Sequence, residues 1–172
     1  MATAIASPKK GPAKNKSKAA SAVTLRPAST ARLRPVRALT KEVSGIKEFS
    51  RAGVRKSLKE GLSFKAIEQL EIGLNASQKE VAQILGIPPS TMTRRKKSGR
   101  LEVDESDRAI RFAQLKDQAL ALMQGDDEAA IAWLRMPLDL LEGETPLERA
   151  STEFGARDVE DLIGRLRHGV FS

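Results

Sequence analysis

The chain has no cysteine and no tyrosine, and a single histidine, His168, and a single tryptophan, Trp133, in 172 residues. Without Cys there are no disulfides, thiolate nucleophiles or Cys-ligated zinc, and the chain suits a reducing compartment. One imidazole is too few for a His-based metal site and nearly excludes a Ser-His-Asp triad. Aromatic residues make up 3%, too few for the stacking platforms that bind single strands or RNA. Long apolar runs are missing as well. The longest, Ala129 to Leu134, falls far short of the ~18 residues of a membrane span, and the N-terminus lacks the apolar centre of a secretory signal. No metal cluster, phosphate loop or catalytic pair of acids stands out. The chain therefore reads as a cytoplasmic binding protein and not an enzyme, with no metal and no cofactor.

What the chain has is charge, unevenly placed. Lys and Arg number 30 and Asp and Glu 22, a net charge of +8. Residues 1–41 hold ten basic residues and no acid, whereas residues 101–172 hold eight basic and sixteen acidic residues, a balance of −8. The basic end calls for a polyanion and the acidic end for a different partner.

Residues 1–43 are low in complexity and rich in Ala, Ser, Lys, Arg and Pro. Pro8, Pro12, Pro27 and Pro35 break any helix, and bulky apolar residues are too sparse to offset the entropy of ordering. This segment reads as a disordered basic tail that touches DNA or another polyanion. A targeting segment and a start codon misplaced upstream are the other readings its composition allows. Order is expected from about Ser44, and from there the signals are helical: an all-α fold. Ser50 caps a helix over residues 51–60 that Gly61 stops, and Ser63 caps the next. Phe64, Ile67, Leu70 and Leu74 line one face of it. Asp104 is expected to cap a longer helix with the stripe Phe112, Leu115, Ala119, Leu122 and Met123, ended by Gly125. Asp126 or Asp127 then caps a short helix holding Trp133, which reads as core. The acids Asp126, Asp127 and Glu128 complement a helix dipole and need no metal. Thr145-Pro146-Leu147-Glu148 is a capping box, and Val159, Leu162, Ile163 and Leu166 line the last helix, which Gly169 ends. The expected division is a tail over 1–43, a DNA-binding and dimerisation domain over 44–124, and a small helical C-terminal domain over 125–172.

Residues 78–97 carry the sharpest local pattern. Ser77-Gln78-Lys79-Glu80 is a capping box. Ala82 is small enough for two helices to cross steeply, Gly86 allows a turn with positive φ, and Ile87 and Met92 plug the core. Pro89 suits the first position of the second helix. This is the arrangement of a helix-turn-helix. With Met92 inward, the candidate DNA-contacting residues are Pro89, Ser90, Thr91, Thr93, Arg94, Lys96 and Lys97. Arg pairs bidentately with guanine, and Ser, Thr and Lys suit phosphates. Arg95 departs from the pattern, which usually places an apolar residue three positions after Met92. Its stem lies along the core edge, or it reaches phosphate. An ordinary helical hairpin with a solvated basic face is the competing reading.

From about Gly61 onwards the chain resembles the Xre/MbcA/ParS-like antitoxins of type II toxin–antitoxin pairs. The helix-turn-helix ending in Ser90-Thr91-Met92-Thr93-Arg94-Arg95-Lys96 carries part of the likeness, and Gly99-Arg100-Leu101 with Glu105-Ser106-Asp107-Arg108 carries more. The most specific stretch is Trp133-Leu134, Pro137, Thr145-Pro146-Leu147-Glu148, Thr152-Glu153, Gly155-Ala156, Val159, Leu162, Gly164-Arg165 and His168-Gly169-Val170. Glu142-Gly143 departs from a pair of glycines that is frequent in the family. The resemblance implies a homodimeric repressor that binds double-stranded operator DNA of its own operon. It also implies that the C-terminal domain binds and blocks a cognate toxin, usually a RES-type protein that consumes or transfers ADP-ribose from NAD. By the same likeness Gly164, Arg165, His168, Gly169, Val170, Phe171 and Ser172 enter or cover the toxin's active site. The residues themselves leave two readings open there: Phe171 packs on a partner or folds back on its own core, His168 serves the helix end or reaches a partner, and Arg165 pairs with Asp161 or reaches a partner. The alternative function is a free-standing helix-turn-helix regulator or nucleoid-associated protein with no toxin.

Overall fold

A computed structural model of the chain describes residues 39–45 and 50–169. The expected basic tail lies outside the described residues up to position 38, as do Val170, Phe171 and Ser172. Among the described residues the secondary structure is helical, with one isolated antiparallel bridge between Ser63 and Arg100. None of these helices is long and apolar enough to cross a membrane.

Order begins earlier than composition suggests. Helix α1 spans Leu39–Ser44, with Leu39, Thr40, Val43 and Ser44 buried. Its start is held by a distant carboxylate: the Leu39 and Thr40 amides donate to Asp117 at 2.7 and 3.0 Å, and the Thr40 hydroxyl donates to it too. Leu39 packs where a Cβ on Gly73 would lie 2.5 Å from its methyl groups. Residues 39–43, assigned by composition to the tail, are therefore part of the packed fold.

Helix α2 covers Arg51–Glu60, capped by Ser50, whose hydroxyl accepts from the Gly53 amide. Gly61 ends it at φ 76°, and a Cβ there would sit 2.3 Å from the Leu101 carbonyl oxygen. Helix α3 spans Lys65–Gly73, and its expected stripe of Phe64, Ile67, Leu70 and Leu74 is buried. Ser63 stands one residue before the assigned cap, and its hydroxyl accepts from the Lys65 amide at 3.4 Å. The cap position belongs to Phe64, and Ser63 is drawn into the bridge with Arg100. Helices α4 (Gln78–Ile84) and α5 (Pro89–Ser98) follow.

Helix α6, Val103–Leu122, is the scaffold of the molecule. It packs against α1, α2 and α3 on one side and against α7 (Asp127–Leu134) and α9 (Glu153–His168) on the other. Its cap is Glu102, two residues before the expected Asp104, because Glu105 reaches back to accept from the Glu102 amide at 2.9 Å. It ends at Leu122, ahead of Gly125, because Gln124 and Gly125 already have positive φ. Phe112, Leu115 and Ala119 are buried as the stripe predicts. Ala109, Ile110, Ala113 and Leu120 are buried too, since α6 has neighbours on several faces.

Asp126 caps α7 by accepting from the Ala129 amide, and Trp133 lies in the core at 8% exposure. Asp127 pairs with the buried ammonium of Lys116. A 3-10 turn at Asp139–Leu141 leads to the short helix α8, Pro146–Arg149, with its Thr145–Glu148 capping box in place. Thr152 then caps α9, which buries Ala156, Val159, Leu162 and Ile163. The junction between α8 and α9 needs Gly155, because a Cβ there would lie 2.0 Å from the Arg149 carbonyl oxygen.

Candidate functional site

The helix-turn-helix is built from its first cap upward. Ser77 and Glu80 exchange hydrogen bonds: the Ser77 amide donates to the Glu80 carboxylate at 2.8 Å, and the Glu80 amide donates to the Ser77 hydroxyl at 3.3 Å. The Ser77 amide, and then its hydroxyl, hold the Glu80 carboxyl below the ordinary carboxylate range. Arg135, the cap residue at the end of α7, pairs with Glu80 at 3.3 Å. It also donates to the carbonyls of Leu74 and Asn75 at 3.2 and 2.9 Å. The start of α4 is thus tied to the C-terminal half of the chain.

Val81 and Ala82 of α4 are buried, as are Leu85 at its C-cap, Ile87 in the turn and Met92 on α5. Gly86 turns the chain at φ 63°, and the Ile87 amide closes the turn on the Ala82 carbonyl at 2.8 Å. Pro89 stands at the first position of α5, where its missing N–H costs nothing. Gly99 ends the helix in the left-handed region.

Burial of Met92 sets the facing of α5. Pro89, Ser90, Thr93, Arg94, Lys96 and Lys97 are exposed and Thr91 is half-buried, so all seven candidate DNA residues share one short helix. The Thr93 hydroxyl donates to the Pro89 carbonyl at 3.1 Å, which leaves its oxygen free to accept only. Lys79 and Gln83 of α4 are exposed beside Thr93 and Lys96, along a groove floored by Ala82, Ile87 and Met92. Sequence reasoning passed over these two α4 residues. Their signal was position alone, on the solvent side of the first helix of the motif.

Arg95 is the exception on α5. It is 9% exposed, and its Nε donates to Glu105 at 2.8 Å while Nη1 meets Glu102 at 2.8 Å. The Glu105 hydrogen bond raises its pKa above the ordinary Arg value. Of the two sequence readings, burial of the stem is the one this geometry matches, with an acidic partner the sequence did not reveal. An unpaired guanidinium in that apolar position would be costly.

At the other end, Gly164 is half-buried, and Arg165, His168 and Gly169 are exposed around the end of α9. Gly169 caps the helix at φ 65°, and Arg165, Arg167 and His168 occupy its last turn, where positive charge complements the dipole. No ion pair joins Arg165 to Asp161 among the described residues. Arg149 instead organises this region. It pairs with Asp158 at 2.8 Å, Glu142 at 3.3 Å and Glu144 at 3.5 Å, and the Asp158 hydrogen bond raises its pKa. No group of three or more His, Cys, Asp or Glu side chains suited to a metal occurs among the described residues.

Two family models match the chain. The antitoxin Xre-like helix-turn-helix domain covers residues 54–114, and the antitoxin Xre/MbcA/ParS C-terminal toxin-binding domain covers residues 118–169. A protein of Yersinia enterocolitica named Antitoxin Xre is 39% identical over 117 residues, 67% of this chain and 79% of that protein. A second Antitoxin Xre, from Photorhabdus laumondii, is 34% identical over 116 residues, 67% and 78% of the two chains. A more distant relative from Sphingobium, 22% identical over 124 residues, 67% and 78% of the two chains, is named Prs ADP-ribosylating antitoxin. A DNA-binding helix-turn-helix and a toxin-binding domain in one chain, at these identities, mean that the protein belongs to the Xre/MbcA/ParS antitoxin family of type II toxin–antitoxin systems.

Proposed function

We propose that this antitoxin represses its own operon through α5 as a homodimer on double-stranded operator DNA, and silences its toxin through the end of α9 and the residues beyond it. The observation that carries the DNA half is the facing of α5. Buried Met92 and the Arg95–Glu105 pair leave Ser90, Thr93, Arg94, Lys96 and Lys97 together on the open side. Arg94 reads a base edge, and Lys96 and Lys97 meet phosphates. Pro89 and Thr91 set the helix against the backbone. The toxin half rests on the matched toxin-binding domain, which ends at Gly169. Gly164, Arg165, His168 and Gly169 stand at that end, and Val170, Phe171 and Ser172 extend from it.

The toxin acts on NAD or ADP-ribose in this reading, as RES-type proteins do. The family resemblance and the name of the Sphingobium relative support it. The antitoxin itself acts by binding, not by catalysis, in the cytoplasm. The proposed division assigns the helix-turn-helix half to operator and dimer contacts and residues from about 125 onwards to the toxin.

Co-expression with the protein of the adjacent reading frame tests both halves. The expected result is rescue of growth, a stable complex on tagged purification, and protection of DNA upstream of the operon by the purified antitoxin. A chain that protects DNA but neither rescues growth nor captures a neighbour is a free-standing regulator, and the toxin half of the reading falls.

A further inference from the structure

Arg135 stands at the C-cap of α7, inside the matched toxin-binding domain, yet its side chain serves the other half of the molecule. Its base is fixed, because Trp133 and Leu134 just before it are buried. From there one guanidinium reaches three acceptors. Nη2 donates to the carbonyls of Leu74 and Asn75 at 3.2 and 2.9 Å, and Nη1 donates to the Glu80 carboxylate at 3.3 Å. Among the described residues, every side-chain hydrogen bond or ion pair between the two matched domains, residues 54–114 and 118–169, belongs to Arg135.

All three acceptors belong to the turn that leads into the helix-turn-helix. The Leu74 and Asn75 carbonyls lie just past α3, where a helix end leaves carbonyls without intrahelical donors. Asn75 sits in the left-handed region at φ 47°, and the Ala76 amide folds back on the Glu71 carbonyl at 2.9 Å. Glu80 closes the capping box that starts α4. Arg135 thus clips the end of α3 to the start of α4. Helix α4 packs against α3 and α5, and it presents Lys79 and Gln83 beside Thr93 and Lys96. Helix α5 is fastened separately, by Arg95 to Glu102 and Glu105 at the start of α6. An ion pair as open as Arg135–Glu80, with side chains 37% and 51% exposed, adds little to overall stability. What it fixes is geometry: the planar fork of Arg holds several oxygens in set directions, which the single ammonium of Lys does not.

We propose that Arg135 is a positioning residue for operator recognition. Acting through Glu80 and the Leu74–Asn75 turn, it sets α4 against α3, and with it the place of Lys79 and Gln83 relative to α5. This rests on the DNA half of the function proposed above and extends it: the domain matched for toxin binding supplies part of what makes operator binding selective. Groups that read base edges and phosphates must be held to within about 0.5 Å, a tolerance that a loosened α3–α4 turn exceeds. A phosphate contact by Arg135 itself fits less well, because both of its terminal nitrogens are already engaged.

The test uses full-length Arg135→Met, which keeps the stem and removes the donors, and Arg135→Lys, which keeps the charge and removes the fork. Arg157→Met is the control, since it deletes a charge from the same domain at an exposed side chain of α9. Each protein is titrated against the duplex upstream of the operon and a scrambled duplex at several salt concentrations, and its melting temperature is measured alongside. Both Arg135 variants are expected to bind the upstream duplex about tenfold more weakly, a change of about 1.4 kcal/mol. Binding to scrambled DNA, the salt slope and Tm are expected to stay close to the wild type, and the control to match it throughout. A lower Tm with equal losses on both duplexes is what a purely structural role produces, and it overturns the positioning role. Equal losses with Tm kept and a salt slope smaller by about 1 overturn it in favour of a phosphate contact. Full affinity for the upstream duplex in either Arg135 variant overturns it as well and leaves the DNA half of the function intact. A wild-type chain that does not prefer the upstream duplex removes that half and this role together.

Discussion

Arg95 and Glu105 bind each other across the joint between α5 and α6: the guanidinium Nε lies 2.8 and 3.1 Å from the two carboxylate oxygens. The same carboxylate accepts the Glu102 amide, so one side chain both caps α6 and fastens the recognition helix. Removing it leaves a buried cation without its partner. Glu105→Ala is therefore expected to lower Tm and Glu105→Gln to lower it less. Arg95→Met combined with Glu105→Leu is expected to recover stability, because a well-packed apolar pair replaces a buried ion pair at little cost. Thermal denaturation checks the order, and a Glu105→Ala protein that melts like the wild type would contradict it.

Arg94 is exposed one position before Arg95 and has no such partner among the described residues. Arg94→Ala is expected to weaken operator binding by ~1–3 kcal/mol and to relax sequence choice. Lys97→Ala is expected to weaken all DNA alike and to reduce the salt slope by about 1. Gel shifts on operator and scrambled duplexes at several salt concentrations separate the two. Equal loss on both duplexes for Arg94→Ala would move it from base to phosphate contact.

Residues 1–38 carry nine Lys and Arg and no acid. Their deletion, with α1 kept, is expected to flatten the dependence of operator affinity on salt while preserving sequence preference. An unchanged slope would place this segment off the DNA.

Glu80 and Glu148 are both held below the ordinary carboxylate value by the capping hydrogen bonds of Ser77 and Thr145, the backbone amide foremost. A carboxyl with a lowered folded pKa stabilises the fold above its unfolded value, near 4.5, and loses that contribution as pH falls through the lower folded value. Melting temperature is expected to hold from neutral pH to about 5 and to decline below it. A Glu80→Gln, Glu148→Gln double variant should show a shallower decline. Parallel curves for the variant and the wild type would assign the acid sensitivity to other carboxylates.

Gly155→Ala would force a methyl group to within 2.0 Å of the Arg149 carbonyl oxygen. Backbone must move to admit it, and a destabilisation of ~1–3 kcal/mol is expected. Chemical denaturation measures it, and a neutral substitution would show that the α8–α9 joint yields easily.

The parts of this fold that announce themselves in the sequence are those written over three or four neighbouring residues. Ser77 with Glu80, Thr145 with Glu148, the stops at Gly61, Gly99 and Gly169, and the stripe from Phe64 to Leu74 are all of this kind. The outward facing of six of the seven candidate residues on α5, all but Thr91, follows directly from Met92. What escaped is long in range. Asp117 holds α1 from 77 and 78 residues away, and Arg135 reaches Glu80 across 55. No local pattern pairs such residues, and the composition of the basic segment disguised the apolar Leu39 and Val43 that pin α1. Arg95 alone gave a hint, as a charge standing where the motif expects an apolar side chain. Glu105 as its partner needed the geometry.

The two matched domains meet inside one helix. The helix-turn-helix match stops at Gln114 and the toxin-binding match starts at Gln118, while α6 runs unbroken from Val103 to Leu122. Leu115 and Lys116, in the gap, are both buried. Chimeric antitoxins that exchange toxin specificity by cutting between the domains would sever the central rod of both halves. A workable graft must carry all of α6 and splice in the turn after it, so recombination among relatives should leave its crossovers at residues 123–126 and spare 114–118.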